Sequence, residues 1–199
     1  TVIDIGVANG TPWLYDAFPR AKFVLIDPHP AAALGSLGDQ LNADIYPHAV
    51  GAQAGQLILH KDIDVPSSSS CLPVSDWLEE TRGARASTDV TVQVCTLDHT
   101  LGSRYRAPYL LKIDTEGFEM EVLKGAERTL EATGAVIAEC SVAPRFTGSY
   151  EAAELIGYLA DRGFRLYDLL NVRTIGRTGP INYLDAVFVR PDVVACHRS

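Results

Sequence analysis

Two stretches of this sequence bring together residue types that do chemistry. In the first, Asp4-Ile5-Gly6-Val7-Ala8-Asn9-Gly10-Thr11, a strand-like run ends in a glycine-rich turn that leads into a helix. Such a turn lets backbone N–H groups approach a ligand, and the helix N-terminus adds partial positive charge. Asp27 ends the next strand, 17 residues after Gly10, where a carboxylate can accept both hydroxyls of a ribose. The glycine spacing then selects among adenosine-containing ligands. A dinucleotide pyrophosphate calls for GxGxxG, whereas this turn reads GxxxG, with Ala8 where the second glycine would stand. Asp4, two positions before Gly6, offers a carboxylate to a charged amino group. Together these features suit S-adenosylmethionine, which has an amino group and no phosphate. A buried parallel sheet can also carry such a turn for purely structural reasons.

The second stretch is Leu111-Lys112-Ile113-Asp114-Thr115-Glu116-Gly117-Phe118-Glu119. Lys112 and Asp114 share one face of a strand, because side chains alternate. Charge inside an apolar strand is costly unless paired, so Lys112 is expected in a buried ion pair with Asp4 or Glu139 on neighbouring strands. Asp114 lies at the carboxyl end of its strand, where open α/β sheets bind ligands, and Glu116 follows in the loop. This carboxylate pair could position a hydroxyl, act as a general base or hold a divalent cation. The cation is possible but not supported by any further ligand set, and no metal residues are assigned. His48, at a strand end, and the lone His60 and His99 read more readily as hydrogen-bonded structure than as bases.

The surrounding pattern alternates short β-branched runs with helical ones. Strands are expected at 1–6, 22–27 and 44–50, with helices from Thr11-Pro12 to about Phe18 and from about 30 to 41. Continuous rather than alternating apolar strands argue for a parallel sheet covered on both faces. In the middle, QLILHK (56–61) and VTVQVCTL (90–97) form an inserted β-pair around the Ser- and Pro-rich loop VPSSSSCLPVSD, a functional lid or a surface connection. The alternation resumes with a strand at 108–114, a helix from Phe118 to Thr133 and a strand at 135–140. A helix capped by Ser149 and stopped by Gly163 then leads to strands at 164–170 and 183–189. The expectation is a Rossmann-like α/β fold: seven mostly parallel strands, helices on both faces, the inserted pair, and a single domain over residues 1–199.

Composition limits the partners. Seventeen Lys and Arg against 25 Asp and Glu give a net charge of −8, with no basic cluster, which argues against nucleic acid. No apolar run approaches the ~18 residues of a membrane span. Cys71, Cys95, Cys140 and Cys196 show no CxxC spacing, which argues against a thiolate zinc site and fits a reducing cytoplasm. Nothing in the sequence points to an oligomeric state.

The blocks DIGVANGT, FVLIDPHP, SSSSCL, VQVCTLD and LLKIDTEGFEMEVLKGAERTL, in that order over roughly residues 2–140, resemble the FkbM-type methyltransferases. The most specific block is KIDTEGFE with the following VLKGA. The resemblance implies a class I methyltransferase fold, S-adenosylmethionine as donor, and a hydroxyl acceptor on a sugar or natural product. Such proteins usually read DIGAN-x-G, with a glutamate where Asp27 stands, so Asn9 is shifted by one position here. They also carry residues before this first strand, and an N-terminal segment is expected to be missing. Carried over, the resemblance assigns Asp4, Gly6, Val7, Asn9, Gly10, Asp27 and Pro28 to the cofactor. His48, Ala49 and Val50 would flank the adenine, Asp114 and Glu116 would face the acceptor, and the Ser67–Cys71 loop would cover the site. The leading expectation is therefore an O-methyltransferase. Alternatives are an inactive adenosyl-cofactor-binding or interaction domain and, disfavoured by the missing GxGxxG and Tyr-x-x-x-Lys, an NAD-dependent oxidoreductase.

Overall fold

A computed structural model describes residues 1–28 and 31–195. Cys196, the rest of the C-terminal tail, and His29-Pro30 of the FVLIDPHP block lie outside the described residues. The chain opens with β1 (Val2–Ile5), α1 (Pro12–Ala17), β2 (Phe23–Ile26), α2 (Ala31–Gln40) and β3 (Ala43–Tyr46). It continues through β4 (Ala49–Val50), β5 (Gly55–Asp62), a 3₁₀ turn at Pro66–Ser68, α3 (Asp76–Arg82), β6 (Ser87–Cys95) and α4 (Leu97–Leu101). The remainder is β7 (Tyr109–Ile113), α5 (Glu119–Lys124), α6 (Glu127–Glu131), β8 (Thr133–Ser141), α7 (Ala152–Asp161), β9 (Arg165–Thr174), β10 (Ile181–Val189) and α8 (Pro191–Ala195).

The main sheet has seven strands in the order β3-β2-β1-β7-β8-β10-β9. The first five are parallel, and β10 runs antiparallel to both β8 and β9. Alternation of side chains divides the core into two layers. Ile3, Ile5, Val24, Ile26, Leu111, Ile113, Val136 and Ala138 pack under residues of α4 to α7. On the opposite face Val2, Phe23 and Leu25 pack with Leu14 and Tyr15 of α1 and Leu37 of α2. Asp4 and Lys112, register partners on β1 and β7, fall on this second face. Beyond them the carboxyl ends of β1, β2 and β7 open onto one edge. There Gly6 N–H donates to Ile26 carbonyl (3.0 Å) and Asp114 N–H to Ile5 carbonyl (3.0 Å).

Several boundaries differ from expectation, each for a physical reason. The run 44–50 is two strands, because Pro47 cannot donate to a ladder; β4 leaves the main sheet for a three-stranded one, β4-β6-β5, in which the expected β5–β6 pair is antiparallel. The helix expected over 118–133 is split at Gly125, where a Cβ would lie 2.1 Å from the Gly51 carbonyl oxygen. Asp98 then accepts from Arg128 N–H (3.0 Å) and Thr129 N–H (2.8 Å), satisfying the start of α6. Glu151, with Glu154 in a capping box, starts α7 in place of Ser149. The segment after the Ser67–Cys71 loop, a strap along the main cavity of the fold, contains α3, capped by the Ser75 hydroxyl on Leu78 N–H (3.1 Å). Ser75 followed by Asp76 and Glu79 in the first turn is the sequence signal for it. No helix among the described residues is long and apolar enough to cross a membrane.

Candidate active site

The turn after β1 is built by backbone conformation. Gly6 has φ +76°, and a Cβ there would lie 1.7 Å from the Asp114 carbonyl oxygen, so no other residue fits. Ala8 is also left-handed (φ 45°), and its N–H donates to Asp27 Oδ2 at 2.8 Å. That bond orients the Asp27 carboxylate beside the turn. Gly6, Val7, Asn9, Gly10, Asp27, Pro28, His48, Ala49 and Val50 all line one cavity of about 380 Å³, together with Asp114 and Glu116. His48 Nδ1 lies 2.9 Å from the Ala49 carbonyl and Nε2 3.3 Å from the Thr100 hydroxyl, so its ring is held in the wall.

Asp4 stands elsewhere than expected. It is fully buried beneath the turn rather than in the cavity wall, because position 4 falls on the face that α1 covers. Its Oδ2 accepts from the Thr11 hydroxyl (2.9 Å) and the Tyr15 hydroxyl (2.8 Å). Thr11 thus spends its side chain on Asp4 instead of capping α1. Lys112 Nζ lies 3.2 Å from Asp4 Oδ1 and 3.4 Å from Asp114 Oδ2, and it donates to the Gly6 carbonyl at 3.2 Å. Of its two expected partners, Asp4 is the one it meets. Burial alone would lower the Lys112 pKa, but the two carboxylates outweigh it and hold the ammonium above its ordinary value. Asp4 and Lys112 therefore tie β1, the glycine turn and Asp114 together from below.

Around Asp114 and Glu116 the cavity carries a cluster of charge. Glu116 sits in a left-handed turn (φ 52°). The buried Glu119 carboxylate staples this turn, accepting from Thr115 N–H (2.7 Å), the Thr115 hydroxyl (3.0 Å), Gly117 N–H (3.3 Å) and the Tyr150 hydroxyl (2.8 Å). Arg145 bonds both Glu116 and Glu139 and lies over the Tyr183 ring, 4.6 Å from its centroid. Carboxylate oxygens of Asp114, Glu116 and Glu139 lie within 4.8 Å of one another, a set that could hold a divalent cation. Lys112 and Arg145 already bring positive charge to it. Burial, against the pull of Arg145, pushes the Glu116 carboxyl from its ordinary 4.5 up to about 7. Burial and the neighbouring Glu116 charge raise Glu139 well above its usual range.

Arg145, Tyr183 and Asp185 were not visible as site residues in the sequence, and Glu139 entered only as a partner for Lys112. Glu139, Tyr183 and Asp185 line the cavity with Asp114. The available signal was a charge at the end of each apolar run, Glu139 in AVIAEC and Asp185 in YLDAVFV, which are register partners. Pro66, Ser67, Ser69 and Cys71 of the strap border the same cavity, and the Ser70 hydroxyl donates to the Glu116 carbonyl at 2.7 Å. Burial pushes the Cys71 thiol up to about 11, so it stays protonated. His60 pairs with Asp89 at 2.7 Å, away from the chemistry.

The donor set fits S-adenosylmethionine: a turn open to close backbone approach, an oriented carboxylate for ribose, and apolar walls at Ala49 and Val50. A sheet of this strand order with these groups at adjacent strand ends belongs to the class I S-adenosylmethionine-dependent methyltransferases. Within that class the chain belongs to the FkbM methyltransferase family, whose domain matches residues 4–166. The crystal structure of methyltransferase FkbM from Methylobacillus flagellatus KT aligns with TM-score 0.54 at 14% identity, over 95% of this chain and 43% of that one. EvdMO1 aligns with TM-score 0.45 at 15% identity, over 99% of this chain and 38% of its own. Magnesium protoporphyrin IX methyltransferase from Synechocystis PCC 6803, a structure with bound SAM, gives TM-score 0.43 at 11% identity, over 95% and 69% of the two chains. The chain thus spans less than half the length of the first two. No curated protein matches the sequence.

Proposed function

We propose that this chain is an O-methyltransferase that transfers the methyl group of S-adenosylmethionine to a hydroxyl of a sugar or natural-product acceptor. The observation that carries this reading is the carboxylate cluster of Asp114, Glu116 and Glu139 in the same cavity as the Gly6–Asp27 cradle. Bound there, the sulfonium supplies an already activated methyl group. The protein then has to align the acceptor oxygen and remove its proton. Asp114, with its side chain 40% exposed, is the carboxylate open to an acceptor hydroxyl and orients it. Glu116, raised to about 7, has a proton affinity suited to taking the hydroxyl proton at neutral pH. Arg145 holds Glu116 and Glu139 in place and balances part of their charge.

An uncharged, hydroxyl-bearing acceptor suits this acidic wall better than a nucleic acid. Cys71, Cys95 and Cys140 are free thiols, which is consistent with work in a reducing cytoplasm. The decisive variant is Asp114→Asn, assayed over a panel of hydroxyl acceptors. Turnover should fall by at least about 100-fold, while S-adenosylhomocysteine affinity by calorimetry stays within about threefold, with NADH giving no heat. Undiminished turnover in the variant would remove Asp114 from the chemistry. Cofactor binding with no turnover on any acceptor would favour an inactive cofactor-binding domain.

A further inference from the structure

The serine strap separates two cavities. It starts in the 3₁₀ turn at Pro66–Ser68 and faces both ways: Ser67, Ser69 and Cys71 border the main cavity, while Ser68, Ser70 and Leu72 border a second one of about 210 Å³. The far wall of this second cavity is Arg82 of α3, with Arg85 and Ser87. Most charge around it is already matched. Arg85 pairs with Asp62 at 3.2 Å, whose other oxygen accepts from Asp64 N–H (3.0 Å) and Val65 N–H (2.9 Å). His60 pairs with Asp89.

Arg82 keeps an unfilled donor. Its Nε is buried and has no hydrogen-bond partner, although Glu79 stands on the same helix at the rim of the cavity. Burial and the neighbouring Arg85 cation work against its charge, and the Asp62 and Glu116 carboxylates offset them only in part. A buried donor left unsatisfied is destabilising, and a guanidinium presents a planar fork matched to oxyanions. We propose that this second cavity is an oxyanion-binding site that takes a phosphate or carboxylate group, with Arg82 as its fixed cation and the Ser68 and Ser87 hydroxyls as flanking donors. It lies one strap's thickness from Glu116, to which Ser70 is bonded.

The test is thermal unfolding of the chain against inorganic phosphate and, separately, acetate, with chloride holding ionic strength constant. It needs no methyl transfer, so its outcome is independent of the proposed activity. Wild type should show a saturable rise in melting temperature with at least one of the two anions, and the responding anion identifies the ligand as phosphate-like or carboxylate. Arg82→Gln should weaken that response about tenfold or more, whereas Arg128→Gln, an exposed arginine, should leave it unchanged. If Arg82→Gln does not fold, Ser87→Asp supplies a resident carboxylate and should abolish the response. The proposal is overturned by a wild-type response to neither anion, or by an undiminished response in whichever of the two variants folds.

Discussion

The glycine turn and the carboxylate cluster line one cavity but are made in different ways. The turn is backbone: left-handed residues at Gly6, Ala8 and Gly10, with Ala8 N–H donating to Asp27 and Gly10 N–H to the Val7 carbonyl. Its residues lie close together in sequence and tolerate no side chain at Gly6. The cluster is side-chain charge gathered from the loop after β7, from β8 and β10, and from the loop carrying Arg145. A backbone cradle is specified by local conformational rules, whereas a charge cluster exists only once strand register has brought its members together. The first should be insensitive to pH, and the second sensitive to it.

The largest effect is expected where turn and cluster touch. Gly6→Ala drives a methyl into the Asp114 carbonyl at a left-handed position, and should cost at least about 4 kcal/mol of stability. Urea unfolding and S-adenosylhomocysteine titration should both register it; a stable Gly6→Ala protein that binds normally would break the account of the turn. Next comes Arg145→Ala, which leaves Glu116 and Glu139 buried without their shared cation. It should cost about 3 kcal/mol yet keep cofactor affinity within about threefold at a temperature where the variant is folded. An equal loss of cofactor affinity would mean that turn and cluster are one unit.

The smallest effect is on pH dependence. Glu116 and Glu139 hold their protons more tightly folded than unfolded. The stability this confers is complete below the ordinary carboxylate pKa and is lost as pH rises through about 7 for Glu116. Melting temperature should therefore decline between about pH 5 and pH 8, and Glu116→Gln should flatten that decline. A wild-type profile with no decline would place both carboxyls in a more solvated setting than this geometry gives them.

Much of the fold was legible because parallel strands buried on both faces leave continuous apolar runs, and β1, β2 and β7 read directly from theirs. Boundaries failed where a distant backbone intervened: Gly125 ends α5 against the Gly51 carbonyl, and Asp98 from another helix starts α6. In the site, the glycine turn, Asp27, Asp114 and Glu116 were legible because each sits at a fixed offset from a strand end. Arg145 was not, since nothing in the loop before Phe146 announces that its guanidinium will reach two carboxylates on other elements.

Asp4 marks the boundary between the two kinds of information. Its position two residues before Gly6 was plain in the sequence, but which way its carboxylate would turn depended on α1 covering that face of β1, where Thr11 and Tyr15 claim it. The sequence alone determined the alternation of strand and helix, the turn that only glycine can make at position 6, and the carboxylates at the ends of β2 and β7, because backbone sterics and side-chain period act over a few residues. Only the tertiary structure decided which charges neutralise one another. That pairing depends on segments far apart in the chain: Lys112 of β7 stands opposite Asp4 of β1, and Arg145 reaches both Glu116 and Glu139.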